Sequence, residues 1–548
     1  MASKTGKQRK RNHLKQRQSK QQKKKKVKKR KYNPFKHLSR NQAEVAKRLI
    51  DGEISMLSHG GWGFVERFLV FLNELGMYEL LGVDGQQFYR KMFNLGLLLI
   101  TYEIKVLLGI SSMNQVSTRL FKDLALMRLI GYTADQLLSG FCRRGKADSP
   151  KPMHKNSLAD AVEKLTEAEL ETIFNEAIKR LTARGVFANS KGIFALDSSD
   201  LETTARYEGA GKRKKKEKKY QQGKLVEVEQ LIYGFKVFAL YEVEKRLVVA
   251  VKVCPLNEHD SNYTLDLVKQ AQANLAGSGT AVLKVLLIDR GFLDGESLWQ
   301  LKQDLSIDFV MPAKSNMNIS KDARQLAQEE PDGTYIFAAQ RPATNDQVEV
   351  SLTGLKALIS YEQYGDAEHQ KRRNRKDFEP NPINAIVISS FKGKPAQAGK
   401  EKVFLTSLTI ADPLLIFDHY DLRSLIENCL FRELKQGWHL GAFPKKTQAA
   451  VRSHVYLSIL CFNLSNVYRS HEGQDITEQG IRRQRLDWHS PNHVVIFAGD
   501  YYGIFDLEEV LILLACPPQL CWRVDPDQVR HRYRCPHPPS LSYLPRAA

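Results

Sequence analysis

The sequence predicts an α/β protein: a mixed sheet with flanking helices, an N-terminal helical domain before it and a β-rich insertion late in it. Residues 191–311 read in order as strand, β-hairpin, helix, strand, helix and strand. Later strands that alternate with helices belong to a mixed sheet covered on its faces. Residues 38–150 carry helical periodicity with glycine breaks. Residues 315–417 abandon the alternation for strand-like pieces, and an amphipathic helix over Asp418–Lys435 follows.

At 548 residues the chain is too long for one core, and its 42% hydrophobic content suffices for several. The formal charge of +22 is uneven. Residues 1–36 hold 17 Lys and Arg and no acid, leaving 66 basic against 61 acidic residues, or +5, for the rest. A basic tail over 1–37 with little to bury is expected to be disordered when free. Its natural partner is a polyanion, although a localisation signal or a solubilising arm has the same composition. No apolar core follows the charges, which excludes a secretory signal. The best apolar run, Leu95–Ile110, is interrupted by Glu103 and Lys105, so no membrane span is expected. Seven scattered cysteines without a CxxC pair suit a reducing compartment. Cys516, Cys521, Cys535 and His537 are too irregularly spaced to read as a zinc site.

Taken in order, helices are expected over Asn41–Ile50, Gly63–Leu75 and Gln86–Tyr102. Leu108–Gly140 then forms a small module carrying Arg119, Lys122 and Arg128, which suits DNA recognition or a plain bundle equally. Arg143–Pro152 is a polar linker. Ser157 and Asp160 form a capping box for one apolar-striped helix ending at Gly185. The sheet domain's first part, 151–314, contains the strand Gly192–Leu196, a basic insert over Gly211–Lys224 and a hairpin from Tyr233–Tyr241 to Arg246–Val253. The helix Tyr263–Leu275, the strand Val282–Ile288, the helix Glu296–Leu305 and the strand Asp308–Met311 follow. The insertion, 315–417, offers strands around a charged KRRNRKD loop. The domain closes over 418–468 with the Asp418-capped helix and an apolar helix over Thr447–Tyr468. Residues 469–548, with Pro517, Pro518, Pro536, Pro538 and Pro539, read as an irregular end.

Three acids stand out by position. Asp197 closes the first strand, Asp289 closes the buried VLLI run, and Glu427 lies on the later helix. Strand-end carboxylates face the rim where α/β sites collect. On the helix, Tyr420 and Glu427 lie about 20° apart and Arg423 about 40° from Glu427, so the three share a face. An i,i+4 Arg–Glu pair alone would be an ordinary surface pair. Converging carboxylates need a cation between them, and an all-oxygen set points to Mg²⁺ or Mn²⁺. Two ions about 3.5–4 Å apart would serve phosphodiester chemistry. Arg423, Lys435 and Tyr420 would then hold phosphate. Asp200 and Glu433 rival Asp197 and Glu427. Trp299 and Trp438 read as core or surface aromatics rather than base-stacking groups.

LDSSDL around Asp197, YGFK at Tyr233–Lys236, NEHD at Asn257–Asp260, LLIDRGF around Asp289 and YDLRSLIENCLFRELK resemble the DDE insertion-sequence transposases of the IS-four type. That type carries a Tyr-(2)-Arg-(3)-Glu-(6)-Lys signature on an RNase H-like fold. The resemblance covers residues 190–465. It implies catalytic, metal-binding Asp197, Asp289 and Glu427, with Lys236, His259 and Arg290 in support. It further implies cleavage at transposon ends with strand transfer into target DNA. The partners would be terminal inverted repeats and target DNA, bound by a homodimer in a prokaryotic, nucleoid-bearing cytoplasm. A catalytically inactive DNA-binding derivative and an RNase H-like nuclease without strand transfer are the competing expectations. One position departs from the signature. Leu434 stands where the Lys is expected, and Lys435, one further on, is rotated about 80° from Glu427 on a regular helix. Deleting residues 1–36 should flatten the salt dependence of DNA binding while metal-dependent chemistry on short end substrates persists. Unchanged salt slopes would refute a phosphate-clamping tail.

Overall fold

A computed structural model describes residues 32–60, 63–83, 85, 88–89, 93–141, 153–221, 224–277, 283–329, 334–362, 381–473, 480–488, 492–516 and 523–534. Residues 1–31 of the basic tail, the Arg143–Pro152 linker, the KRRNRKD loop, Cys521, Cys535 and His537 lie outside these. The last residues of the expected tail are packed. Tyr32 is buried, and Phe35 meets the Tyr78 ring edge-on at 5.8 Å. These aromatic groups give the segment's end something to bury, which the lysines before it lack.

The N-terminal region contains β1 (Ser39–Arg40), α1 (Gln42–Ile50), β2 (Met56–Gly60), α2 (Gly63–Glu74), a small pair of β3 (Phe88–Tyr89) and β4 (Phe93–Asn94), and α3 (Leu95–Leu107). Asn94 caps α3 by accepting from Leu97 N–H. Gly96 is needed because a Cβ there would strike the backbone at Leu81–Val83. Glu103 and Lys105, the charges that interrupt the apolar run, are both buried in α3. Burial pushes the Glu103 carboxyl well up and the Lys105 amine down to about 8. In the following helical module, Arg128 is spent internally. It donates to Tyr132 O at 3.1 Å and lies over the Phe497 ring, 5.7 Å from its centroid.

The stripe from Ser157 to Gly185 is two helices, α4 (Lys155–Glu163) and α5 (Glu167–Ala183). His154 caps the first, and the capping box belongs to the second, between Thr166 and Glu169. The expected Ser157–Asp160 box does not form, because Ser157 already lies inside the helix that His154 caps; Asp160 instead pairs with Lys445 at 2.5 Å.

The central sheet then follows with β5 (Ile193–Thr203), β6 (Gly211–Gln221), β7 (Lys224–Glu242), β8 (Leu247–Pro255), α6 (Thr264–Leu275), β9 (Val285–Ile288), α7 (Gly295–Gln303) and β10 (Asp308–Pro312). The spatial order is β8–β7–β5–β9–β10. β7 is antiparallel to β5 and β8, while β9 and β10 run parallel to β5. This is the RNase H-like arrangement.

The insertion contributes β11 (Thr334–Gln340), β12 (Gln347–Leu358), β13 (Ile383–Phe391), β14 (Lys394–Pro395) and β15 (Lys402–Thr406). It extends the sheet instead of standing apart. β15 pairs antiparallel with β10, giving eleven strands in one sheet among the described residues. After α8 (Pro413–Leu425), the helix α9 (Gln448–His471) covers the β8 side. Asn463 on α9 substitutes for a missing strand neighbour: its amide accepts from Val248 N–H at 2.9 Å and donates to Val248 O at 2.7 Å. No helix among the described residues is long and apolar enough to cross a membrane.

The C-terminal region is more ordered than its prolines suggested. It holds α10 (Ile481–Trp488), β16 (His493–Ala498), β17 (Tyr501–Asp506), α11 (Leu507–Leu513) and α12 (Pro526–Tyr533). β17 pairs with β1 and β16 with β2, so both ends of the described chain share one sheet, ordered β1–β17–β16–β2. Val45 and Leu49 of α1 complete its core with Ile496, Phe505 and Val510. Such pairing across more than 430 residues has no local signature. A chain ended after residue 473 should therefore be cut by protease within residues 39–60, where the full chain resists. Equal resistance in both would show that β1 and β2 hold without their partners.

Candidate functional site

The site begins where β9 stops and β5 does not. The parallel register ends at the pair Leu196 and Ile288. Asp197 and Asp289 are thus the next residues on neighbouring strands, whose backbones lie about 4.8 Å apart. Asp197 is not a strand end, as the apolar run had suggested, because pairing with β7 carries β5 on to Thr203. Asp289 does end its strand and opens the turn Arg290–Phe292. That turn packs tightly on Asp260: a Cβ on Gly291 would sit 2.8 Å from Asp260 Oδ2.

The third contribution comes from α8. Asp412 caps this helix, accepting from Leu414 and Leu415 N–H with Pro413 in the first turn, so Asp418 lies mid-helix and is not the cap. Asp421 anchors α8 to the insertion through Arg341 and by accepting from Ala343 N–H at 2.9 Å. Losing Arg341 would strand a buried carboxylate, a cost of about 3–5 kcal/mol. On the same helix Tyr420 packs against Phe404, the rings tilted by 34° with centroids 4.3 Å apart.

Arg423 is the centre. Its Nη2 lies 3.1 Å from Asp197 Oδ2, 2.7 Å from Glu427 Oε1 and 3.7 Å from Asp289 Oδ1. One guanidinium nitrogen therefore gathers all three carboxylates. Burial works against the Arg423 charge, but the surrounding acids outweigh it and raise its pKa. Asp197 is pushed up to about 7 chiefly by burial, against the pull of Arg423 and a 2.7 Å bond from Ser198 N–H, with Glu427 and Asp289 adding repulsion. Burial also pushes the Tyr420 hydroxyl up to about 12.

Lys435 reaches the same cleft despite its offset. Between α8 and the short helix Arg432–Gln436 the chain makes a π-helical turn, Ile426–Phe431. A π-bulge absorbs one extra residue. The eight-residue step from Glu427 then places Lys435 about where seven residues would on a regular helix. Its amine is lowered by burial, with Asp200 and Glu202 pulling the other way.

Lys236 is buried and committed. Its amine donates to Asp260 Oδ1 at 2.8 Å and to Glu258 O at 2.9 Å, while Ser198 Oγ donates to the same Asp260 oxygen at 3.1 Å. His259 is not brought to the carboxylates. It caps the turn Asp260–Tyr263, accepting from Ser261 N–H at 3.3 Å. Arg290 borders the site on its other side. The rivals are engaged elsewhere: Asp200 pairs with Arg213, and Glu433 accepts from Trp438 Nε1 at 3.2 Å. Trp438 itself is buried, with Arg485 packed over its ring, and Trp299 is half-exposed on α7.

Two clefts meet at Asp289, Arg423 and Glu427. One, of about 690 Å³, also exposes Arg213, Lys215 and Lys435; the other, of about 430 Å³, is bordered by Arg290, Arg324, Lys400 and Lys402. Arg213, Lys215, Arg324, Lys400 and Lys402 were not singled out from the sequence. The basic insert was the one signal for the first two.

Residues 188–464, just over half the chain, match the family described as Transposase DDE domain, and the chain belongs to that family. Curated proteins yield no match. Among solved structures, the chain is similar to a piggyBac transposase in a synaptic complex with hairpin DNA, over 91% of this chain and 86% of that one. The identity is 10% and the TM-score 0.35.

Among the described residues no cluster of His, Cys, Asp and Glu forms a ready metal cage. The three carboxylates nonetheless converge on one positive charge, and their donor set, oxygen alone, fits a hard divalent cation. Arg423→Gln should therefore lower the melting temperature at pH 8 by a few degrees, with millimolar Mg²⁺ recovering most of it. A variant insensitive to Mg²⁺ would count against a cation-demanding cluster.

Proposed function

We propose that this protein is a DNA transposase of the IS-four type that cleaves at transposon ends and joins the freed 3′ ends to target DNA. The observation that carries the reading is the convergence of Asp197, Asp289 and Glu427 on the Arg423 guanidinium. Those three side chains would hold Mg²⁺ or Mn²⁺, with two ions expected. Bound there, such ions activate a water or 3′-hydroxyl and stabilise the leaving oxygen of the phosphodiester.

The protein's own groups then have distinct tasks. Arg423, already buried among the acids, is placed to donate to oxygens of the scissile phosphate. Tyr420, held by Phe404, fixes the face of α8 that carries Arg423. Lys435 supplies positive charge along one cleft and Arg290 along the other. Lys236 acts one step back, holding Asp260 against the Gly291 turn and thereby the position of Asp289. Lys435 takes the Lys place of the Tyr-Arg-Glu-Lys signature through the π turn. The partners are the element's terminal inverted repeats and target DNA, engaged by a homodimer, with residues 38–150 reading end sequences.

The test is nicking of a duplex bearing the element's own terminal repeats in Mg²⁺ or Mn²⁺. Asp289→Ala and Glu427→Ala should each lose on the order of 10³-fold in rate while binding DNA normally. A wild type that binds and never cuts would favour a retired DNA-binding protein. One that cuts generic junctions without joining 3′ ends would favour a nuclease.

A further inference from the structure

Strands β6 and β7 continue past the sheet as a two-stranded ribbon. Eleven paired positions run from Gly211 opposite Gly234 to Gln221 opposite Lys224. At about 3.3 Å per residue the ribbon is roughly 35 Å long. β7 is one unbroken strand through the sheet and the ribbon, so the arm continues directly from the catalytic sheet. Its root is built for close approach. A Cβ on Gly234 would strike Leu201 O of β5, and one on Gly211 would strike Leu256 and Asn257 just past β8. Beyond the root, β5 has ended and β6 pairs with β7 alone.

The charge distribution singles this arm out. Of the 66 basic and 61 acidic residues after residue 36, positions 211–233 hold eight and three, leaving 58 against 58 elsewhere. Outside the tail and this ribbon, the chain is formally neutral. At the root, Arg213 and Lys215 pair with Asp200 and Glu202 of β5 on the rim of the catalytic cleft. On the opposite face, Lys212, Lys214 and Lys216 are exposed. Among the described residues, Lys214 pairs with Glu229 at 3.0 Å and Lys216 with Glu227 at 3.7 Å, both exposed pairs. Such pairs contribute little and exchange readily for phosphate. Lysines that merely block edge pairing do not need to fill both faces of a ribbon this long. An isolated two-stranded ribbon is marginal in water, and a polyanion against it would both neutralise and order it.

We propose that the β6–β7 ribbon clamps the phosphate backbone of double-helical DNA as it leaves the catalytic cleft, without reading sequence. A two-stranded ribbon of this kind also fits the width of a B-DNA major groove. The proposal rests on the transposase reading for the identity of the cleft, but its test is separable.

The test measures binding of the full-length chain to a 40-base-pair duplex of unrelated sequence across a salt series. The variant is the triple Lys212→Gln, Lys214→Gln, Lys216→Gln. Each lost phosphate contact removes about 0.9 from the slope of log K against log salt, so the slope should shrink by about 2 to 3. A matching triple Lys→Arg variant should retain it, and Glu227→Gln with Glu229→Gln should tighten binding. An unchanged slope in the Gln variant would overturn the proposal, even if that variant lost self-association in sedimentation. An equal loss on single-stranded DNA of the same length would overturn its duplex character. Failure of the wild type to nick terminal-repeat DNA would sink the transposase reading while leaving this slope to stand or fall alone.

Discussion

The site depends on one electrostatic constraint: three carboxylates drawn from two strands and a helix have to share a small space. Asp197 and Asp289 are forced together by parallel register, and Glu427 is added by α8. Without a positive charge between them that geometry repels itself. Arg423 supplies the charge from the turn before Glu427, from a largely shielded side chain beside an exposed Glu427. Burial is the main reason Asp197 is pushed up, and the neighbouring carboxylates add to it. One guanidinium thus holds the acids close, and the proposed function builds on that arrangement.

The surrounding architecture keeps those parts in place. Insertion strand β15 pairs with β10, and Arg341 and Ala343 hold Asp421, so the insertion braces the helix that carries Arg423. On the other side, Asn463 closes the edge of β8 with a side-chain amide, and Arg485 ties α10 to both ends of the core. It donates to Leu107 O at 2.6 Å and to Gly437 O at 2.6 Å while lying over Trp438. The sheet is thus held at both edges, and the acids sit where its strands diverge.

Much of the site was legible because its residues are locally patterned. VLLI before Asp289, the small residues after Asp197 and the helical spacing of Tyr420, Arg423 and Glu427 are all short-range signals. Lys435 was harder. Its offset conflicts with a regular helix, and only the π turn at Ile426–Phe431 accounts for it. His259, expected in a supporting place, caps the turn that begins at Asp260, the residue Lys236 holds. The caps at Asp412 and Thr166 were missed because neighbouring Asp and Ser residues offered equally good local chemistry.

Local sequence already carries the alternation that makes the central sheet, the three acids that come together on Arg423 and the concentration of positive charge in two runs. These follow from periodicity, the apolar runs that precede Asp197 and Asp289, helical spacing and composition, which neighbouring residues encode. Only the tertiary structure decided that the insertion joins the same sheet, that β1 and β2 pair with β17 and β16, and that Arg423 reaches all three acids. Those outcomes depend on which open strand edge meets which and on side chains brought together from distant parts of the chain. Pairing of that range is settled by the free energy of the whole packed core, not by any stretch of chain within it.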